Sequence, residues 1–139
     1  MEEIQPKWIE RHGIYKNAMG RLAEVIELSK RRSLNQYEND SLIKRFEFCY
    51  EMAWKLMMSY EKECGISEMH GSKDVIRQAF SIGLIENGEA WLEMIDARNS
   101  TIHLYDEEMA ADVIDEITNT FYPLFIELQN KMNDLKEKQ

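Results

Sequence analysis

Three residues near the middle of the second half of the chain have the types and spacing for chemistry on an anion: Arg98, Asn99 and His103. Arg98 is the only Lys or Arg between Arg77 and Lys131. It also falls where an apolar residue belongs, because Trp91, Ile95 and Ile102 recur at helical spacing and Arg98 continues their stripe. A guanidinium does not shed its charge, so a position facing a core or an interface must supply a partner for it. On a helix the three residues fall within an arc of roughly 140°, and Asn99 and His103 are i,i+4 neighbours. A fixed cation, an amide and a titratable imidazole would converge on one patch, which suits a phosphate. The same spacing also fits an Arg paired with a nearby carboxylate, such as Asp96 or Glu93, and a helix-end His capping carbonyls.

The elements that must position these residues are helices. Only two prolines and six glycines punctuate 139 residues, and no segment alternates apolar and polar residues over strand length. A first helix is expected from about Lys7 to Arg32, with Tyr15, Ala18, Leu22, Val25 and Ile26 as its apolar stripe. Asn39 or Asp40 can cap a second, about Ser41 to Cys64, whose seam is Leu42, Phe46, Cys49, Ala53, Leu56 and Tyr60. That alternation of four and three is the pattern of bundle packing, and Gly65 is a C-terminal stop. Ser72 can cap a short helix ending before Gly83. Asn87 starts the helix carrying Arg98, expected to run from Gly88 to His103. Asp106 can cap the last, about Glu107 to Glu137, with Ala110, Ile114, Ile117, Phe121, Leu124, Leu128, Met132 and Leu135 as its stripe. Pro123 lies inside it and cannot donate to the Asn119 carbonyl, so a kink is expected there. The architecture that fits is all-α, an up-and-down four-helix bundle with an additional short helix, in one domain over residues 1–139.

Composition narrows the function classes. A net charge of −9 argues against generic coating of nucleic acid but leaves room for a local basic groove. The basic clusters are Lys30-Arg31-Arg32 and Lys44-Arg45, for which a solvated face near a helix C-terminus is the default. The segment from Asn99 to Asn130 carries carboxylates and no Lys or Arg, a solvated face or a docking face for a basic partner. No apolar run approaches the length of a membrane span, and the N-terminus lacks the basic start and apolar run of a signal peptide. Two cysteines, Cys49 on a core stripe and Cys64 near a helix end, fit free thiols in a cytoplasmic protein. His12, His70 and His103 are far apart without partners at metal-ligand spacing, so no metal or other cofactor is expected. Gly71-Ser72-Lys73-Asp74 lacks a following Asp-x-Asp and a P-loop pattern and reads as a loop and helix cap. Ser100 has no nucleophile-elbow context.

The segment Arg98-Asn99-Ser100-Thr101-Ile102-His103-Leu104-Tyr105 resembles the motif of the HEPN superfamily, an Arg, a polar residue, a short gap and a His. Four residues between Arg and His, with Tyr two further on, is similar to the HepT branch, also called the nucleotidyltransferase substrate-binding protein family. The stretch Arg45-Phe46-Glu47-Phe48-Cys49-Tyr50-Glu51-Met52-Ala53-Trp54-Lys55 resembles that family's long second helix, and the likeness runs from about Tyr15 to about Met132.

The resemblance implies a homodimer in which two copies of the motif face one cleft and cleave RNA without metal. His103 would be general acid or base, Arg98 would bind the scissile phosphate, and Asn99 would orient one or the other. Tyr105 matches the tyrosine adenylylated by a cognate minimal nucleotidyltransferase, with which such proteins form a toxin–antitoxin pair. Two other readings use the same residues. One is a non-catalytic subunit that presents a substrate or nucleotide to that nucleotidyltransferase. The other is a helical scaffold in which Arg98 is structural.

Overall fold

The computed structural model of the protein describes residues 5–101 and 107–139. Within them the chain is helical: α1 Lys7–Arg31, α2 Gln36–Glu63, α3 Ser72–Ser81, α4 Gly88–Ser100, α5 Glu107–Glu116, a π-helical turn Ile117–Phe121, and α6 Tyr122–Glu137. The last three segments follow one another directly, so α1, α2, α4 and the composite α5–α6 make the four long members, and α3 is the short addition. The four-helix expectation with one extra short helix holds.

α1 buries Trp8, His12, Tyr15, Ala18, Met19, Leu22, Val25 and Ile26, a stripe that extends further toward the N-terminus than its apolar core residues alone suggest. Trp8 is fully inside and meets Tyr60 edge-on with ring centroids 5.5 Å apart. An aromatic cluster ties the four long helices together. Phe46 of α2 stacks on Phe121 at 5.7 Å, Trp91 of α4 meets Phe125 of α6 edge-on at 5.8 Å, and the Tyr15 hydroxyl of α1 donates to the Phe125 carbonyl at 2.7 Å. Rings that each touch a different helix fix the relative positions of those helices more tightly than aliphatic contacts of equal area, because edge and face are not interchangeable.

The structure moves several boundaries. α2 begins at Gln36, so Asn39 and Asp40 lie inside it rather than capping it. Its cap is Asn35, whose side chain accepts from the Glu38 N–H at 2.9 Å while Glu38 accepts from the Asn35 N–H at 2.9 Å, a capping box. Arg32 grips both Glu38 oxygens, at 2.9 and 2.6 Å, and these bonds hold the Glu38 carboxyl at about 2, well below its ordinary value. The polar first turn of α2 carries no apolar signal, which is why the stripe suggested a later start. α3 is capped by Gly71 at φ 94°, not by the Ser72 side chain, and the Asp74 carboxylate accepts from the His70 N–H at 2.9 Å. Asn87 does cap α4, accepting from the Ala90 N–H at 3.1 Å.

In the last helix, the irregularity expected at Pro123 takes the form of the π-turn just before it. The Tyr122 N–H reaches back to the Ile117 carbonyl, and Pro123 then occupies the first turn of α6, where its missing N–H costs nothing. Of the expected stripe Ile117, Phe121, Leu124, Leu128 and Met132 are buried and Ala110, Ile114 and Leu135 only partly so, while Val113 and Phe125 are buried in addition.

An acid and an imidazole are enclosed without hydrogen-bond partners among the described residues. Glu61 of α2 is fully buried with both carboxylate oxygens unbonded, and His12 of α1 is buried with both ring nitrogens unbonded. Cys49 is a buried free thiol and Cys64 an exposed one. No helix among the described residues is long and apolar enough to cross a membrane.

Candidate functional site

Arg98 lies in the last turn of α4, one turn beyond the buried residues Trp91, Met94 and Ile95, and is half-buried as its place on that stripe requires. Its counter-charges come from α2. Glu47 and Glu51, i,i+4 neighbours on one face, approach the guanidinium at 3.9 Å (Oε2 to Nη2) and 3.8 Å (Oε1 to Nε). The expectation that Asp96 or Glu93 would pair with Arg98 is not met. Both lie on the exposed side of α4, and the tertiary packing of α4 on α2 brings closer carboxylates from another helix. Trp54, half-buried, donates its indole N–H to Glu51 Oε2 at 3.2 Å and so orients that carboxylate.

Both ion pairs are longer than hydrogen bonds, and the buried Arg98 Nε has no acceptor. The carboxylates therefore balance the charge of Arg98 without saturating its donors. Two hydroxyls close the end of α4: Thr101 Oγ1 donates to the Arg98 carbonyl at 2.6 Å and Ser100 Oγ to the Ala97 carbonyl at 2.7 Å. Ser100 is thus occupied as a helix-end donor.

Arg98, Glu47 and Glu51 form one wall of an open cleft of about 480 Å³, within the range of small-ligand pockets of ~300–1,000 Å³. Arg21 and the small Ala18 of α1 form the other side, and Lys44, Arg45 and Phe48 of α2 complete it. Asn99 is exposed and does not line this cleft. His103 and Tyr105, the other two expected site residues, and the expected Asp106 cap lie outside the described residues. Lys44 and Arg45 thus line the cleft, whereas in the other basic cluster Lys30 pairs with Glu27 within α1 at 3.2 Å and Arg32 with Glu38 across the α1–α2 turn. The roles of Glu47 and Glu51 had a signal in the sequence, since both fall in the Arg45–Lys55 stretch at i,i+4. Phe48 lies in the same stretch, but nothing in its spacing marked it for the cleft, and Arg21 had no signal at all. No group of His, Cys, Asp and Glu among the described residues is arranged to hold a metal ion.

The profile of a family described as nucleotidyltransferase substrate binding protein like matches residues 10–134. The chain belongs to this family. It is the family that the Arg98–Tyr105 and Arg45–Lys55 stretches resemble, and the family assignment made on those residues stands. A Haemophilus influenzae protein named as a probable ribonuclease HepT is 37% identical over 79 residues, 54% of this chain and 54% of that protein. The alignment spans about half the length of that relative. A crystal structure of a Thermus thermophilus protein superposes with a TM-score of 0.74 at 29% identity, covering 84% of this chain and 97% of the other. A Shewanella oneidensis HEPN toxin, solved tri-AMPylated and in complex with an MNT antitoxin, superposes with a TM-score of 0.75 over 94% of this chain and 99% of its own. At 16% identity that likeness is one of fold, and it makes the bundle of this family member HEPN-like.

Proposed function

We propose that the protein is a HepT-like, metal-independent endoribonuclease, the toxin of a HEPN and minimal-nucleotidyltransferase pair. The observation that carries this reading is the state of Arg98. It is a half-buried guanidinium held at arm's length by two carboxylates, with unused donors at the edge of a cationic cleft and five residues ahead of His103. Donors that its counter-ions do not take up leave the guanidinium able to accept an anion. The relation to a probable ribonuclease HepT supports the same reading.

Without a metal the nucleophile is the RNA's own 2′-hydroxyl. Its proton leaves to a base, the O2′–P bond forms, the P–O5′ bond breaks, and the departing O5′ takes up a proton. An imidazole titrating near neutrality can serve at either end, which is the role of His103. Arg98 stabilises the charge that grows on the non-bridging oxygens, and Asn99 orients His103 or the phosphate. One motif offers one Arg and one His. A homodimer that faces two motifs across an isologous contact doubles both. The partner is a nucleotidyltransferase that adenylylates Tyr105.

The test is cleavage of single-stranded RNA in EDTA. Wild-type protein cleaves, and His103→Ala cleaves ~10²–10⁴-fold more slowly with its far-UV spectrum unchanged. Activity lost to chelator, or a His103→Ala variant at the wild-type rate, refutes the mechanism. RNA binding without any cleavage would favour the substrate-presenting subunit instead.

A further inference from the structure

The cleft beside Arg98 holds more than a phosphate needs. Phe48 is 51% exposed at its rim, a large apolar side chain on the outer face of α2 with no ring partner among the described residues. Arg21 and Lys44 are exposed on either side, and their side chains make no ion pair or hydrogen bond with a described residue. Arg45 is committed elsewhere, donating to the Arg21 carbonyl at 2.6 Å and to Glu24 at 3.1 Å, and so ties α1 to α2. The two carboxylates of the cleft both face Arg98, and Glu51 is further engaged by Trp54. In a chain of net charge −9, two unpaired cations, a phosphate-competent arginine and a bare aromatic ring share one pocket. Lys44, Phe48 and Glu51 fall at i, i+4 and i+7, so they form a single line along α2 that leads from a free cation, past the ring, to the carboxylate under Arg98.

We infer that this cleft is a groove for single-stranded RNA, in which Phe48 stacks on a base next to the phosphate at Arg98, and Arg21 and Lys44 bind flanking phosphates. The inference deepens the ribonuclease reading and rests on it for the identity of the ligand. A cationic track interleaved with an aromatic platform is the combination that holds a single strand without reading its sequence. The ring demands an unstacked base, which a duplex does not offer. The size of the cleft agrees, since about 480 Å³ admits a nucleotide and not a helix. An acidic peptide would satisfy the cations but would leave Phe48 without a planar partner.

The experiment measures binding rather than turnover, so that it stands apart from the cleavage test. Fluorescence anisotropy on the full chain carrying His103→Ala, with short labelled oligouridine and oligoadenine strands, is read across a salt series. Phe48→Ala is expected to weaken single-strand binding by about 5- to 150-fold, the equivalent of one lost base stack, with the salt slope unchanged. Phe48→Trp restores it. Lys44→Ala and Arg21→Ala each reduce the slope of log K against log salt by about 0.7, one single-strand phosphate contact. The inference is overturned if Phe48→Ala binds within twofold of its parent, or if single strand and duplex weaken equally. It is likewise overturned if Phe48→Ala changes the sedimentation coefficient, which would make this face a contact between copies of the chain. Wild-type protein that cleaves RNA while Phe48→Ala binds normally would refute the groove and leave the ribonuclease intact. Protein that neither binds nor cleaves would refute both.

Discussion

Replacing Glu61 by Gln should remove a pH dependence of stability that the wild-type fold cannot avoid. Glu61 is fully buried and neither carboxylate oxygen has a partner, and burial alone pushes its carboxyl up from 4.5 to about 8. Between those values the folded chain holds a proton that the unfolded chain has released. A rise in pH therefore favours unfolding, and the stability present below 4.5 is lost as pH climbs through about 8. His12 works with the opposite sign. Burial lowers it from 6.5, with Lys16 and Lys136 adding to the effect, so its contribution is lost on acidification below 6.5 and is silent above. The window from 6.5 to 8 thus isolates Glu61, and at about 1.4 kcal/mol per pH unit, tapering near the folded pKa, it is worth about 1.5–2 kcal/mol. Glutamine keeps the shape and cannot ionise. Urea unfolding followed by circular dichroism at the two ends of that window gives both proteins' stabilities. Other groups titrate alike in both, so the difference between them isolates residue 61, and Glu61→Gln should gain about 1.5–2 kcal/mol on wild type as pH rises. A difference that stays constant to within about 0.5 kcal/mol would refute the account of Glu61 as a buried, protonated acid.

Arg98→Ala leaves Glu47 and Glu51 facing each other without their cation, and should destabilise the fold by about 1 kcal/mol, the pairs being long and partly exposed. Adding Glu47→Gln and Glu51→Gln should recover most of that in urea unfolding, whereas Arg98→Lys should keep the stability and lose RNA cleavage, because an ammonium lacks the two-point grip. Sedimentation velocity at micromolar concentration should give a dimer, and a clean monomer would rule out a site composed from two motifs. Co-expression with the cognate nucleotidyltransferase should add AMP to Tyr105, read by intact-mass and peptide mass spectrometry. Tyr105→Phe should stay active and unmodified, since it loses only the acceptor hydroxyl.

The helices themselves were legible in the sequence because their signals are local. The seam Leu42, Phe46, Cys49, Ala53, Leu56 and Tyr60 repeats at the helical period and is buried as that period requires, except that Tyr60 at its end is only partly so. Asn87 and Gly65 punctuate where their side chain and lack of one dictate. The family was legible for a related reason, since the Arg98–Tyr105 and Arg45–Lys55 stretches are contiguous. Even the charge problem of Arg98 could be stated in advance, because an arginine on an apolar stripe must find a partner. Which partner it finds depends on how α4 lies against α2, and no spacing along α4 encodes the answer: Asp96 and Glu93 are nearer in sequence, Glu47 and Glu51 nearer in space. The cleft is likewise a tertiary product. Arg21 and Phe48 belong to different helices, each an ordinary residue on its own surface, and they meet only because α1 and α2 pack side by side with Arg45 bonded across them. Glu61 makes the same point from inside. It reads as one more surface carboxylate near a helix end, and only the packing of the bundle, closing over it without a partner, turns it into an acid that keeps its proton.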